Sequence, residues 1–157
     1  MNKTTLITAL LLLGIAGVVG YKLDNATQKN VAQLANTDPD CELRNGPCHA
    51  ELPAGGIIKF EISPRSIPLM KPLLLTVSVR DIEVTAAEID FVGIGMNMGY
   101  NRPQLKQVSN NRFEGSTTLP VCILQRMHWE ANLLLETNMG TIKAPFRFHT
   151  DKSSASP

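Results

Sequence analysis

Met127-His128-Trp129-Glu130-Ala131-Asn132-Leu133-Leu134-Leu135-Glu136 is the stretch that decides the fold class. Met127, Trp129, Ala131, Leu133 and Leu135 alternate with His128, Glu130, Asn132 and Glu136. A period of two sends these sets to opposite faces of an extended strand, so one face is dry and the other wet. Trp129 has the inward parity and is the expected core anchor.

The same alternation recurs on both sides. Downstream, Ile142, Ala144, Phe146 and Phe148 oppose Lys143, Arg147 and His149. Upstream, Ile58, Phe60 and Ile62 alternate with Lys59 and Glu61, while Leu73, Leu75, Val77 and Val79 alternate with Thr76, Ser78 and Arg80. Ile89 and Phe91 oppose Glu88 and Asp90, and another strand is expected over 112–119, after the turn residues Ser109, Asn110 and Asn111. At least six strands follow. No sustained 3.6-residue period occurs between 56 and 150, and every connection is too short for a crossover helix, which requires a largely antiparallel arrangement. Short strands separated by Gly, Pro and Asn turns predict an all-β fold, an immunoglobulin-like antiparallel β-sandwich over residues 41–149.

The 157 residues allow one such domain after the two ends are set aside. Residues 1–21 carry an early Lys3 and then an uncharged run from 4 to 21, which reads as a signal peptide or a transmembrane helix. With Lys3 on the cytoplasmic side, the rest of the chain lies in the periplasm or an equivalent extracytoplasmic space, anchored in the inner membrane if the segment is not cleaved. Residues 22–40 are rich in Asn, Gln, Lys, Asp and Thr and predict a flexible tether, mobile or loosely helical; 150–157 predict a disordered tail.

Cys41 and Cys48 bracket the turn residues Asn45, Gly46 and Pro47, so a local disulfide is expected there and Cys122 is left free. The net charge of +1, with no run of Lys or Arg, argues against nucleic acid as a partner. No nucleophile elbow, phosphate loop or zinc-protease helix motif is present, and no enzyme activity is expected.

The residues that speak of chemistry are soft donors. Phe91-Val92-Gly93-Ile94-Gly95-Met96-Asn97-Met98-Gly99-Tyr100 opens from a strand into a glycine-rich turn, and Met96 and Met98, two apart, can point the same way. Cys122, Met127 and His128 precede the Trp129 strand. Thioether and thiolate sulfur prefer copper(I), and imidazole is acceptable, so the expected metal set is Met96 and Met98 with a third donor from Cys122, Met127 or His128. His128 is favoured over Met127, whose parity is that of the core. The same methionines could equally fill space in the core.

Leu52-Pro53-Ala54-Gly55-Gly56, Ile62-Ser63-Pro64, the segment 91–99, Arg112-Phe113-Glu114-Gly115 and Met127-His128-Trp129 together resemble the FixH/YtkA-like family over roughly residues 50–148. The resemblance implies a membrane-tethered or secreted β-sandwich linked to cation or copper handling, often around respiratory haem-copper oxidases. Met96 and Met98 fall on the family's methionine turn, whereas Cys122 and the Cys41/Cys48 pair are less typical of it. Two functions compete: a module that binds or passes on copper(I) in oxidase assembly, and one that binds a membrane protein partner without metal.

Overall fold

A computed structural model describes residues 12–15, 17, 31–53 and 55–152. Residues 12–15 and 17 are helical. The rest of the expected signal or anchor segment lies outside the described residues, as do 22–30 and 153–157. Among the described residues no helix is long and apolar enough to cross a membrane.

Residues 31–152 are all-β. The strands are β1 (Val31–Leu34), β2 (Asn36–Thr37), β3 (Cys48–Glu51), β4 (Ile57–Ser63), β5 (Leu73–Arg80), β6 (Ala86–Gly93), β7 (Gln104–Ser109), β8 (Arg112–Thr117), β9 (Arg126–Thr137) and β10 (Gly140–Asp151). They form one mixed sheet in the order β1-β10-β9-β6-β7-β8-β5-β4-β3-β2. Two separate sheets are what strand spacing alone suggests; here one strand joins the halves. β7 pairs through Gln104 and Leu105 with Glu88 and Ala87 of β6, then through Lys106 and Gln107 with Glu114 and Phe113 of β8.

Closure comes from a segment whose sequence predicts a tether. β1 runs parallel to β10, with Val31 opposite Thr141, and β2 runs antiparallel to β3, with Thr37 opposite Ala50. Ala35 lies between them, 3% exposed, and its N–H donates to the Lys143 carbonyl at 2.9 Å. The two ends of the strand order are therefore one continuous piece of chain, and the sheet is nearly closed into a barrel. Residues 31–37 correct the tether reading because their stability comes from two waiting strand edges, which their own polar side chains do not advertise. Likewise Thr150 and Asp151 belong to β10 instead of the tail.

The predicted inward residues fill the interior. Trp129 is 1% exposed, donates from Nε1 to Thr150 Oγ1 at 3.0 Å, and stacks on Phe148 with ring centroids 6.3 Å apart. Phe60 of β4 and Phe146 of β10 lie far apart in strand order yet their rings are 5.4 Å apart, so the two halves pack across a common core.

Cys41 and Cys48 form the expected disulfide with Cα atoms 5.8 Å apart, while Cys122 is free and buried. Leu43 inside that loop is fully buried. Arg44 donates from Nη1 to the His149 carbonyl at 3.2 Å and pairs with Asp151 Oδ2 at 3.1 Å, which ties the loop to the end of β10.

Strand directions give the domain two poles. The chain enters β1 at the pole that holds the β9–β10 turn, the β3–β4 turn and the end of β5. The opposite pole holds the end of β6, the start of β9 and the connections 94–103 and 118–125.

Removing the Phe146 ring should cost about 3–5 kcal/mol of unfolding free energy in Phe146→Ala, read from denaturant midpoints. Reducing the disulfide should cost about 2–3 kcal/mol on the chain-entropy estimate for so short a loop, leaving the β-sheet circular dichroism intact.

Candidate functional site

The glycine-rich loop is held on two backbone legs. On the outgoing leg, Ile94 N–H donates to the His128 carbonyl at 2.9 Å, one step beyond the end of β6. On the return, the Asn101 carbonyl accepts from Phe91 N–H at 2.9 Å and the Pro103 carbonyl from Ile89 N–H at 3.1 Å. Between them Gly95 and Gly99 have φ of 83° and 82°, a left-handed backbone that glycine adopts without a Cβ clash. Asn97 Oδ1 accepts from Gly99 N–H at 2.9 Å and tightens the tip.

Arg102 clamps the return leg to β6. Its Nη2 meets Asp90 Oδ2 at 3.0 Å and its Nη1 meets Glu88 Oε1 at 3.6 Å, while the guanidinium carbon stands 5.8 Å from the Tyr100 ring centroid. The hydrogen bond to Asp90 raises the Arg102 pKa above its ordinary value, ahead of the opposing effect of burial.

The connection 118–125 supplies the other wall. The Leu119 carbonyl accepts from Met70 N–H at 2.9 Å, and the Gln125 carbonyl from Lys152 N–H at 2.8 Å. Between these pins Cys122, 6% exposed, brings Sγ to 3.5 Å from Met96 Sδ. Leu124 N–H also approaches that sulfur at 3.5 Å.

Gly93 leaves room for the other two methionine side chains. It sits opposite Trp129 on the inward side of β6, and a Cβ there would meet Met127 Cε, the Met96 carbonyl oxygen at 2.5 Å and Met98 Cγ at 2.8 Å. Its service is therefore close approach, whereas the turn belongs to Gly95 and Gly99. Four of the five predicted metal residues thus lie at one pole: Met96 and Cys122 in direct sulfur contact, and Met98 and Met127 each approaching Gly93 through side-chain carbons. Met127 is 2% exposed and also completes the core, and Met96 and Met98 pack against it while partly exposed. A cleft of about 530 Å³ opens beside Met96 and Met98, lined by residues 90–93 and 95–100.

His128 stands apart from this group. The regular strand sends it to the outer face, where its ring lies 6.2 Å from that of His149. His149 Nδ1 is in turn 2.9 Å from Glu42 Oε1. Among the described residues, no group of three or more His, Cys, Asp or Glu could hold a metal ion. What the pole offers is thioether sulfur with one thiol. The glycine at an inward strand position was the available signal for the approach at Gly93, since such a residue leaves room for a neighbour. The Met96–Cys122 contact joins two loops 26 residues apart and had no local signal.

Much of the rim of this pole is apolar. Val92, Ile94, Tyr100, Val121, Ile123 and Leu124 are exposed, and neither 91–100 nor 118–125 contains an acidic or basic residue. On the outer face nearby, Asp151 Oδ1 accepts from Arg126 Nε at 2.8 Å. That hydrogen bond, aided by the charges of Arg126, His149 and Arg44, holds the Asp151 carboxyl below its ordinary pKa.

No family model and no curated protein matches this chain. Among solved structures it is similar to a DUF4785 family protein from Legionella pneumophila, at 18% identity with a TM-score of 0.41, over 61% of this chain and 28% of the other.

Gly93→Ala should lose about 1–3 kcal/mol of stability, because the Met96 carbonyl is backbone and yields less readily than a side chain. Denaturant unfolding checks this. Arg126→Gln should move the Asp151 titration back toward the ordinary carboxylate range in NMR. A depressed folded pKa contributes stability above the unfolded carboxyl value and loses it as pH falls through the lower folded value, so wild type and variant should converge in stability at strongly acid pH.

Proposed function

We propose that this protein is a non-catalytic, periplasmic β-sandwich module of immunoglobulin-like type that handles copper(I), held at the inner membrane by its N-terminal apolar segment. The observation that carries the reading is the 3.5 Å contact between Met96 Sδ and Cys122 Sγ, made by two loops that are each pinned on both sides. A thiolate beside a thioether is a soft pair that suits copper(I) over harder cations. Met98 and Met127, whose side chains both approach Gly93, are the neighbours proposed to complete a sulfur-only set. Of the three candidates for the third donor, Cys122 is the one in contact with Met96, whereas His128 lies on the outer face of β9.

Several features support the remaining parts of the proposal. The strand order, with Phe60 packing on Phe146 across the interior, favours an immunoglobulin-like sandwich over an open barrel. The Cys41–Cys48 disulfide suits an oxidising, extracytoplasmic compartment. The likeness of the segment 91–99 to FixH/YtkA-like modules favours a role in respiratory oxidase assembly, with a membrane protein partner.

A second reading rests on burial. Met127 and Cys122 are 2% and 6% exposed, which also suits a sulfur plug closing the core beneath an apolar surface that binds a membrane protein without metal.

Competition for copper(I) against a chelator separates the two. Met96→Leu and Cys122→Ser should each weaken binding by roughly tenfold or more, about 1.4 kcal/mol per decade, and His128→Asn should leave it unchanged. Affinity equal to that of a folded Met96→Leu, Met98→Leu double variant would leave the metal-free reading standing.

A further inference from the structure

We infer that the outer face of β3-β4-β5 carries a binding site for a phosphate-type oxyanion, at the pole opposite the sulfur cluster. Strand register builds it. His49 on β3 is paired with Lys59 on β4, Lys59 with Ser78 on β5, and Ile57 with Arg80. All of these positions share the outward parity, so His49, Lys59, Ser78 and Arg80 surround one depression of about 200 Å³.

The charges there are not neutralised by ion pairs. Arg112, opposite Ser78 in the next strand, is held by Glu114 at 2.7 Å, whereas Lys59 and Arg80 have no acidic partner among the described residues. Glu51 and Glu61 occupy neighbouring positions but contact neither within ion-pair distance. Two unpaired cations lining one depression, with a hydroxyl and an imidazole beside them, offer the charge and the N–H and O–H donors that a tetrahedral oxyanion takes up. A sheet face that served only solubility would gain from pairing these cations with acids across the strands.

The same pole is where the chain enters β1. The phosphate could come from a phospholipid headgroup or from the free anion, two sources that share one chemistry. The inference is independent of copper binding.

The test uses the full chain in nanodiscs of phosphatidylcholine, with NMR of the His49 ring and of the Lys59 and Arg80 side chains. Inorganic phosphate titrated to tens of millimolar should shift all three resonances along a saturable curve at constant ionic strength, and Lys59→Gln, Arg80→Gln should abolish the response. Nanodiscs containing phosphatidylglycerol show whether the same resonances move without added phosphate. A response to phosphate alone assigns a free anion, and a response to the anionic lipid assigns a headgroup. Unmoved resonances in both arms, or shifts that survive the double variant, overturn the site.

Discussion

Trp129 is the constraint on which the rest of the domain leans. Its indole is buried against Phe148, its Nε1 is satisfied by Thr150, and its backbone lies between β10 and the end of β6. A large ring with one polar atom tolerates few positions in a core, and this one sets the register of the longest strand pair. Register then decides the chemistry. With Trp129 opposite Gly93, Met127 arrives at the mouth of the core two residues earlier, and His128 is sent outside. A slip of one residue would exchange the imidazole for the thioether at the pole.

The two poles put different demands on the chain. At the sulfur pole, backbone pins hold both loops, and the ion pairs of Arg102 on the return leg tie the methionine loop to β6. At the entry pole, the segment 31–37 crosses from β10 to β3 and covers both edges that would otherwise be open to another chain. The disulfide loop adds a third tie through Arg44 and Glu42 to the end of β10, so side chains from the first third of the sequence join Arg126 and Trp129 in fixing the last strand.

Much of this was legible in the residues because burial follows a period of two. Strands β4, β5, β9 and β10 lie where Ile58-Phe60-Ile62, Leu73 to Val79, Met127 to Leu135 and Ile142 to Phe148 place them. β1, β2, β3 and β7 were not legible, since they are short or largely polar and owe their conformation to backbone pairing, which for β1 is with β10 at the far end of the chain. The candidate site divides the same way. Met96, Met98, Cys122 and Met127 could be named from donor chemistry, and parity correctly separated Met127 from His128. His128, favoured over Met127 for its outward parity, lies on the outer face beside His149, and parity gives the direction of a strand but not the side over which the methionine loop folds. Cys122 could not be paired with Met96 from spacing, since their contact is made by two loops from different strand pairs.

The central claim is that the pole binds copper(I) through sulfur and without imidazole. X-ray absorption at the copper edge of the copper(I)-loaded protein reads the ligand set directly. A first shell of sulfur scatterers alone, with no outer-shell pattern of a histidine ring, is the result predicted here. An imidazole signature, or copper spread over weak oxygen and nitrogen sites with no sulfur shell, would contradict it.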